Sequence, residues 1–183
     1  MVGARVELER ETELLEACLK LSQEAGSLRG MALSLFCLGA AWRGQGDLER
    51  ATATSEEAAA MFREQKHLSY LSDALDNLGW AALLRGDSER ARALYAESLE
   101  LKREVGDKLV TPEPLEGLAS VTGARGEAER AARLFGASEV LREVMGTPPE
   151  SGDIVRCRSP TFRPPALDWM RRCGRRSGRR IEQ

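Results

Sequence analysis

His67 is the only histidine among 183 residues, and that bounds the chemistry this chain can do. No histidine pair, metal triad or Ser-His-Asp constellation is read around it; the residue reads as a surface or capping group near the join of two segments. Cys18, Cys37, Cys157 and Cys173 are widely separated, without the Cys-x-x-Cys spacing of zinc or redox sites. Cys18 and Cys37 are expected to be reduced and buried. Asp73 and Asp76 could act as paired carboxylates, but two acids three apart on a helix are most often a solvated face. The glycines of Gly44-Gln45-Gly46 lie between two helical patterns rather than after a strand, which removes the basis for a phosphate loop. These residues point to binding and not to catalysis, and they call for no cofactor and no metal.

Charge is distributed unevenly. The whole chain carries −2, yet residues 151–183 hold nine arginines against Asp153, Asp168 and Glu182, so an acidic body ends in a basic tail. No apolar run reaches the roughly 18 residues a bilayer span needs, and the N-terminus has no apolar signal-peptide core. No membrane association is expected, and a cytoplasmic location is.

The elements that would position any site come from a repeat. Gly46-Asp47-Leu48-Glu49-Arg50-Ala51 recurs forty positions on as Gly86-Asp87-Ser88-Glu89-Arg90-Ala91, and again as Gly126-Glu127-Ala128-Glu129-Arg130-Ala131. Leu35, Leu75 and Leu115 keep the same register, as do Leu38-Gly39, Leu78-Gly79 and Leu118-Ala119. Within the second unit, Leu71, Ala74, Leu75, Leu78, Ala81 and Ala82 fall at three- and four-residue spacing, and Ala91, Leu94, Tyr95, Ser98 and Leu99 do so again. Each unit is therefore two amphipathic helices. The Gly-Asp step between them ends one helix and caps the next. Gly26 and Gly106 end the second helices of their units, and Pro112 and Pro114 suit the first turn of a helix. Gly39, Gly79 and Ala119, with Ala51, Ala91 and Ala131, let backbones approach closely, and Leu38, Leu78, Phe62, Tyr95 and Phe135 fill the space around them.

The run Leu75-x-x-Leu78-Gly79-x-x-Ala82, then Ala91-x-x-x-Tyr95-x-x-Ser98, resembles the tetratricopeptide repeat. Leu35, Leu38, Gly39, Trp42, Ala51 and Ala58 match in the first unit, and Leu115, Leu118, Ala119, Ala131, Phe135 and Ser138 in the third. The resemblance covers about residues 6–146 and implies an all-α superhelical solenoid of antiparallel helix pairs, with a forty-residue period in place of the usual ~34. Such repeats are similar to the C-terminal helical arrays of bacterial LuxR-type and AfsR-like regulators of the STAND ATPase class, and Ala131–Arg142 looks like the last repeat of one. The expected organisation is a lone second helix at 6–25, repeats at about 28–66, 68–106 and 111–146, and a Pro- and Arg-rich tail over 147–183.

What the resemblance implies about function is protein–protein interaction. The partner-facing positions of the first helices are Phe36 and Arg43 in the first unit, Asp73, Asp76, Asn77, Trp80 and Leu83 in the second, and Glu113 and Glu116 in the third. Apolar Phe36 and Trp80 amid carboxylates suit a basic or amphipathic protein or peptide; the competing reading packs both rings between helices and leaves the acids solvated. The leading helix has no first helix before it, which leaves two readings open: a fragment of a longer regulator, or an end that pairs with another subunit as a homo-oligomer. The tail is open too, either a functional segment or the product of a frameshift. Its arginines make nucleic-acid binding the alternative function, which the acidic body opposes and no helix-turn-helix signature supports.

Overall fold

The computed structural model describes residues 2–105 and 112–145. The expectations for Gly106, Cys157, Cys173 and the tail 147–183 fall outside the described residues. Among these there are seven helices and no strand: α1 (Val2–Glu24), α2 (Leu28–Gln45), α3 (Leu48–Glu64), α4 (Leu68–Leu84), α5 (Ser88–Glu104), α6 (Glu113–Ala124) and α7 (Ala128–Met145). The chain divides into two compact units, Met1–Val110 with α1–α5 and Thr111–Gln183 with α6 and α7. Consecutive helices pack against one another within each unit. The fold is all-α and of tetratricopeptide-like solenoid class, as the period implies.

Local chemistry sets where each helix starts and stops. Gly26, Gly46, Gly86 and Gly126 all adopt positive φ, between 64° and 84°, the left-handed turn that closes a helix without the steric cost a side chain would bring. Asp47 and Asp87 then accept the backbone N–H groups of Arg50 and Arg90 at 3.0 and 3.1 Å, satisfying donors that the first turn leaves orphaned. The Arg50 N–H, followed by the Arg50 guanidinium, holds the Asp47 carboxyl below the usual carboxylate range. Ser27 caps α2 in the same way through Gly30. His67 occupies the cap position of α4 without a side-chain capping bond, and its ring meets Tyr70 edge-on.

The helices are spliced at two levels. Gln45 donates to the Leu8 carbonyl, Gln65 to that of Leu28 and Arg85 to that of Leu48; each bond ties the end of one helix to the beginning of the preceding one, and the three recur every twenty residues. Closer in, the first helix of each pair touches the second through a residue with little or no side chain. A Cβ on Gly79 would lie 2.9 Å from the Tyr95 ring, and one on Gly39 would collide with the Ser55 hydroxyl. Ala119 takes that position in α6 and is fully buried. Around these contacts lie Leu35, Phe62, Leu71, Leu75 and Leu78 as one core cluster, and Leu38 with Trp42 as a second.

Cys18 and Cys37 are free but exposed, which corrects the expectation that they are buried. One period later, Ala58 and Asn77 occupy the same register and are 0% and 7% exposed, because there a further helix packs alongside. Among the described residues, no such helix covers those sides of α1 and α2. Partial burial, then Glu11 and Cys18, raise the Cys37 thiol above its ordinary pKa.

The turn from α3 to α4 breaks the glycine rule: Lys66, in register with Gly26, has φ of 56°. A left-handed residue with a Cβ costs about 1–2 kcal/mol. Lys66→Gly is therefore expected to raise unfolding free energy by about 1 kcal/mol, part of the relief being offset by the freer unfolded chain; urea denaturation followed by helical circular dichroism measures it, and a loss of stability would contradict the strain.

Candidate functional site

The carboxylates that sequence places on the partner-facing side are already answered from within the fold. On α4, Asp73 and Asp76 flank Lys102 of α5, whose side chain is 4% exposed. Its Nζ lies 2.6 Å from Asp73 Oδ1 and 3.4 Å from Asp76 Oδ2. Burial would by itself lower the pKa of this ammonium, but Asp76 and Asp73 outweigh that and raise it. One cation cannot neutralise two anions, so a fully ionised cluster would keep an excess negative charge in a dry place. Burial accordingly pushes the Asp76 carboxyl up to about 7, against the lowering influence of Lys102 and Ser98 and with Asp73 adding to the rise. The Ser98 hydroxyl is near enough to favour the ionised form, yet neither it nor Asp76 Oδ1 completes a hydrogen bond of good geometry.

The second unit repeats the device. Arg142 of α7, 6% exposed, donates from Nε and Nη2 to both oxygens of Glu116 at 2.9 and 3.1 Å, and its Nη2 lies 3.9 Å from Glu113. Arg142 is one period after Lys102, and Glu113 and Glu116 are one period after Asp73 and Asp76. The same three positions in the first pair are Leu33, Phe36 and Phe62. Phe62 is fully buried and Phe36 meets it edge-on, centroids 6.3 Å apart, while Tyr70 stacks on its other side at 5.2 Å. Phe36, expected as a groove anchor, is thus half-buried against the core of its own pair. Lys102 and Arg142 went unrecognised in the sequence although the register that exposes them was legible.

A different set of polar groups gathers on α2 and α4. The Arg43 guanidinium sits 6.0 Å from the centroid of the Trp80 ring. Asn77, one turn before Trp80 on α4, is 7% exposed, and Leu83 is one turn after it. The Asn77 Nδ2 and Arg43 Nε atoms are both buried and have no hydrogen-bond partner. A buried donor left unmade costs about 1–3 kcal/mol, and two of them lie on this face beside one half-buried tryptophan, in addition to the Ser55 and Ser98 hydroxyls and Asp76 Oδ1 elsewhere in unit 1. Of the nine residues sequence selects, the structure gathers Arg43, Asn77, Trp80 and Leu83 on this face, joins Asp73 to Asp76 through Lys102, and joins Glu113 to Glu116 through Arg142.

Two measurements test the clusters. Lys102→Met strands two buried or half-buried carboxylates and is expected to cost about 3 kcal/mol, whereas Asp73→Leu/Asp76→Phe/Lys102→Phe, which copies the first pair, should be neutral or stabilising; equal losses in both would show that charge pairing is irrelevant here. The pH dependence has a definite sign. Because Asp76 in the folded chain holds its proton to about 7, against ~4 for an unfolded aspartate, its contribution is fully present below pH ~4 and disappears as pH rises through about 7. The stability of the chain minus that of Asp76→Asn should therefore fall, by an amount on the order of 1–3 kcal/mol, between pH 4 and 8; a difference that rises over that range would refute the assignment.

No curated protein matches this chain. Residues 28–104, which run from the first residue of α2 to the last of α5, match the tetratricopeptide repeat family, and that match supports a tetratricopeptide repeat domain over these two helix pairs.

Proposed function

We propose that the chain is a protein-interaction module whose α2/α4 face receives an extended or helical segment of a partner protein. Tetratricopeptide repeats generally mediate protein–protein contacts, and residues 28–104 match them. The observation that carries the reading is the pair of orphaned donors, Asn77 Nδ2 and Arg43 Nε, beside Trp80. Both keep their hydrogens at neutral pH, so a proton cannot relieve them; an acceptor must, and a peptide carbonyl or side-chain carboxylate supplies one once the two side chains turn from their buried positions toward it. Trp80 and Leu83 offer apolar surface to the same segment, which makes an amphipathic partner the best fit. Asp73, 40% exposed even while bound to Lys102, leaves room for a basic side chain at the edge.

The reading takes residues 6–146 as one helical-repeat domain. Its finer form, a sensor or scaffold array of a bacterial regulator similar to the LuxR-type and AfsR-like proteins, rests on the Gly-Asp-x-Glu-Arg-Ala register and on the sequence of α7. It requires no cofactor, and its work is recognition rather than turnover. Among the described residues, no helix is long and apolar enough to cross a membrane.

Asn77→Ala separates binding from folding, because it removes an orphan donor that the free protein does not use. Peptides selected from a displayed random library against the full chain are expected to bind Asn77→Ala roughly tenfold more weakly, about 1.4 kcal/mol, while its thermal stability stays equal or rises. Unchanged affinity in Asn77→Ala and in Arg43→Ala would remove this face from consideration.

A further inference from the structure

Over its described side chains, helix α1 has two stripes, and among the described residues only one of them is covered. Thr12, Leu15, Leu19 and Ser22 face α2: Thr12 is buried, Leu15 and Leu19 pack against Leu38 and Trp42, and a Cβ on Gly30 would meet the Ser22 hydroxyl. The other stripe is Leu14, Cys18 and Leu21, at four- and three-residue spacing, with Leu14 61% and Leu21 64% exposed and Cys18 exposed beside them. An exposed apolar stripe of this kind on a soluble helix is an interaction surface.

Its occupant can be read from charge. The flank beside the stripe, at alternating three- and four-residue steps, is Arg10, Glu13, Ala17, Lys20 and Glu24, all exposed. In sign this runs plus, minus, neutral, plus, minus. Reversed end to end, it becomes minus, plus, neutral, minus, plus, so every charge meets its opposite. In antiparallel helix pairs the like-numbered flanks adjoin, which is the geometry that uses this self-complementarity. We infer that two copies of this chain associate through antiparallel α1 helices about a twofold axis near Ala17 and Cys18. Leu14 then faces Leu21 of the second copy and Leu21 faces its Leu14, Arg10 lies by its Glu24, and Glu13 by its Lys20. The contact is isologous, so it closes at two copies. The leucines supply the association free energy, and the charges, weak one by one at a surface, select the antiparallel direction over the parallel one.

The inference concerns a surface separate from the α2/α4 face and stands or falls independently of it. Sedimentation velocity of the full chain with cysteines kept reduced is expected to show mass rising from monomer to dimer with concentration. Leu14→Glu/Leu21→Glu should be monomeric with the helicity of the parent and, at concentrations low enough that the parent is monomeric as well, its melting temperature, since both positions are exposed in the monomer. Arg10→Glu should weaken the dimer several-fold, and Arg10→Glu/Glu24→Arg should restore it, which a merely sticky patch would not do. A chain that is monomeric at every concentration overturns the proposal, and so does a dimer that survives Leu14→Glu/Leu21→Glu or a charge reversal that fails to restore. A melting temperature that drops in Leu14→Glu/Leu21→Glu at a concentration where the parent too is monomeric also overturns it, by showing that residues of the same chain cover the stripe.

Discussion

A helix hairpin can close only as tightly as its nearest contact allows, and in this chain that contact is a first-helix residue without a bulky side chain. Gly39 against Ser55 and Gly79 against Tyr95 leave no space for a Cβ. That approach fixes how deep one helix sits in the other, and so decides which further positions become interior. Once the backbones are this close, the positions one turn away toward the start of the first helix, at Phe36, Asp76 and Glu116, must face the second helix near its end, at Phe62, Lys102 and Arg142. Something must fill that layer in every pair, because a void there would forfeit packing contacts throughout the hairpin.

The chain fills it in two chemically opposite ways. In the first pair the layer is aromatic, with Phe36 edge-on to Phe62, and needs no hydrogen bonds. In the others it is ionic, and the two ionic versions are not equivalent. Arg142 presents a fork that engages both oxygens of Glu116, a match of planar groups that satisfies donor and acceptor together. Lys102 is a point charge with two acids to serve, one of them almost fully buried, and leaves Asp76 Oδ1 without a partner. The raised pKa of Asp76 follows first from its burial, with the second acid, Asp73, adding to the rise. Replacement of an aromatic layer by an ionic one within a single repeat family of positions fits the general finding that a buried ion pair and a well-packed apolar pair are close in stability, while half of an ion pair is not.

How far the sequence discloses this depends on which comparison is made. Helix number, the glycine turns followed by an acid and the small close-approach residues are legible because they recur as the same or closely similar residue types every forty positions. The ionic layer recurs as well, but as Phe, Lys and Arg, and as Phe, Asp and Glu; identity conceals it and only register reveals it. Read along one helix, Asp73 and Asp76 look like a solvated acidic face, and it takes the second helix to show that they are clamped. Cys18 and Cys37 mislead for the complementary reason: their residue type and stripe position suit a core, but burial belongs to the neighbour that packs on a stripe, and the stripe itself cannot announce whether one is there. Phe36 illustrates the same limit, since a helix position near the boundary of two faces can turn to either.

Beside the Ser55 and Ser98 hydroxyls, the orphaned polar atoms among the described residues include two contrasting kinds. Asp76 Oδ1 is an acceptor, and a proton taken up by that carboxyl removes its charge and its need together, so the fold can satisfy it alone as pH falls. Asn77 Nδ2 and Arg43 Nε are donors whose hydrogens stay in place at any pH the protein will meet. Nothing within unit 1 accepts from them, and adding protons cannot help. Such donors destabilise the free chain by an amount comparable to what a single good contact contributes. On the proposed function, that free energy is regained when an acceptor arrives, so the deficit would form part of the affinity for a partner that brings carbonyl or carboxylate oxygens to this face.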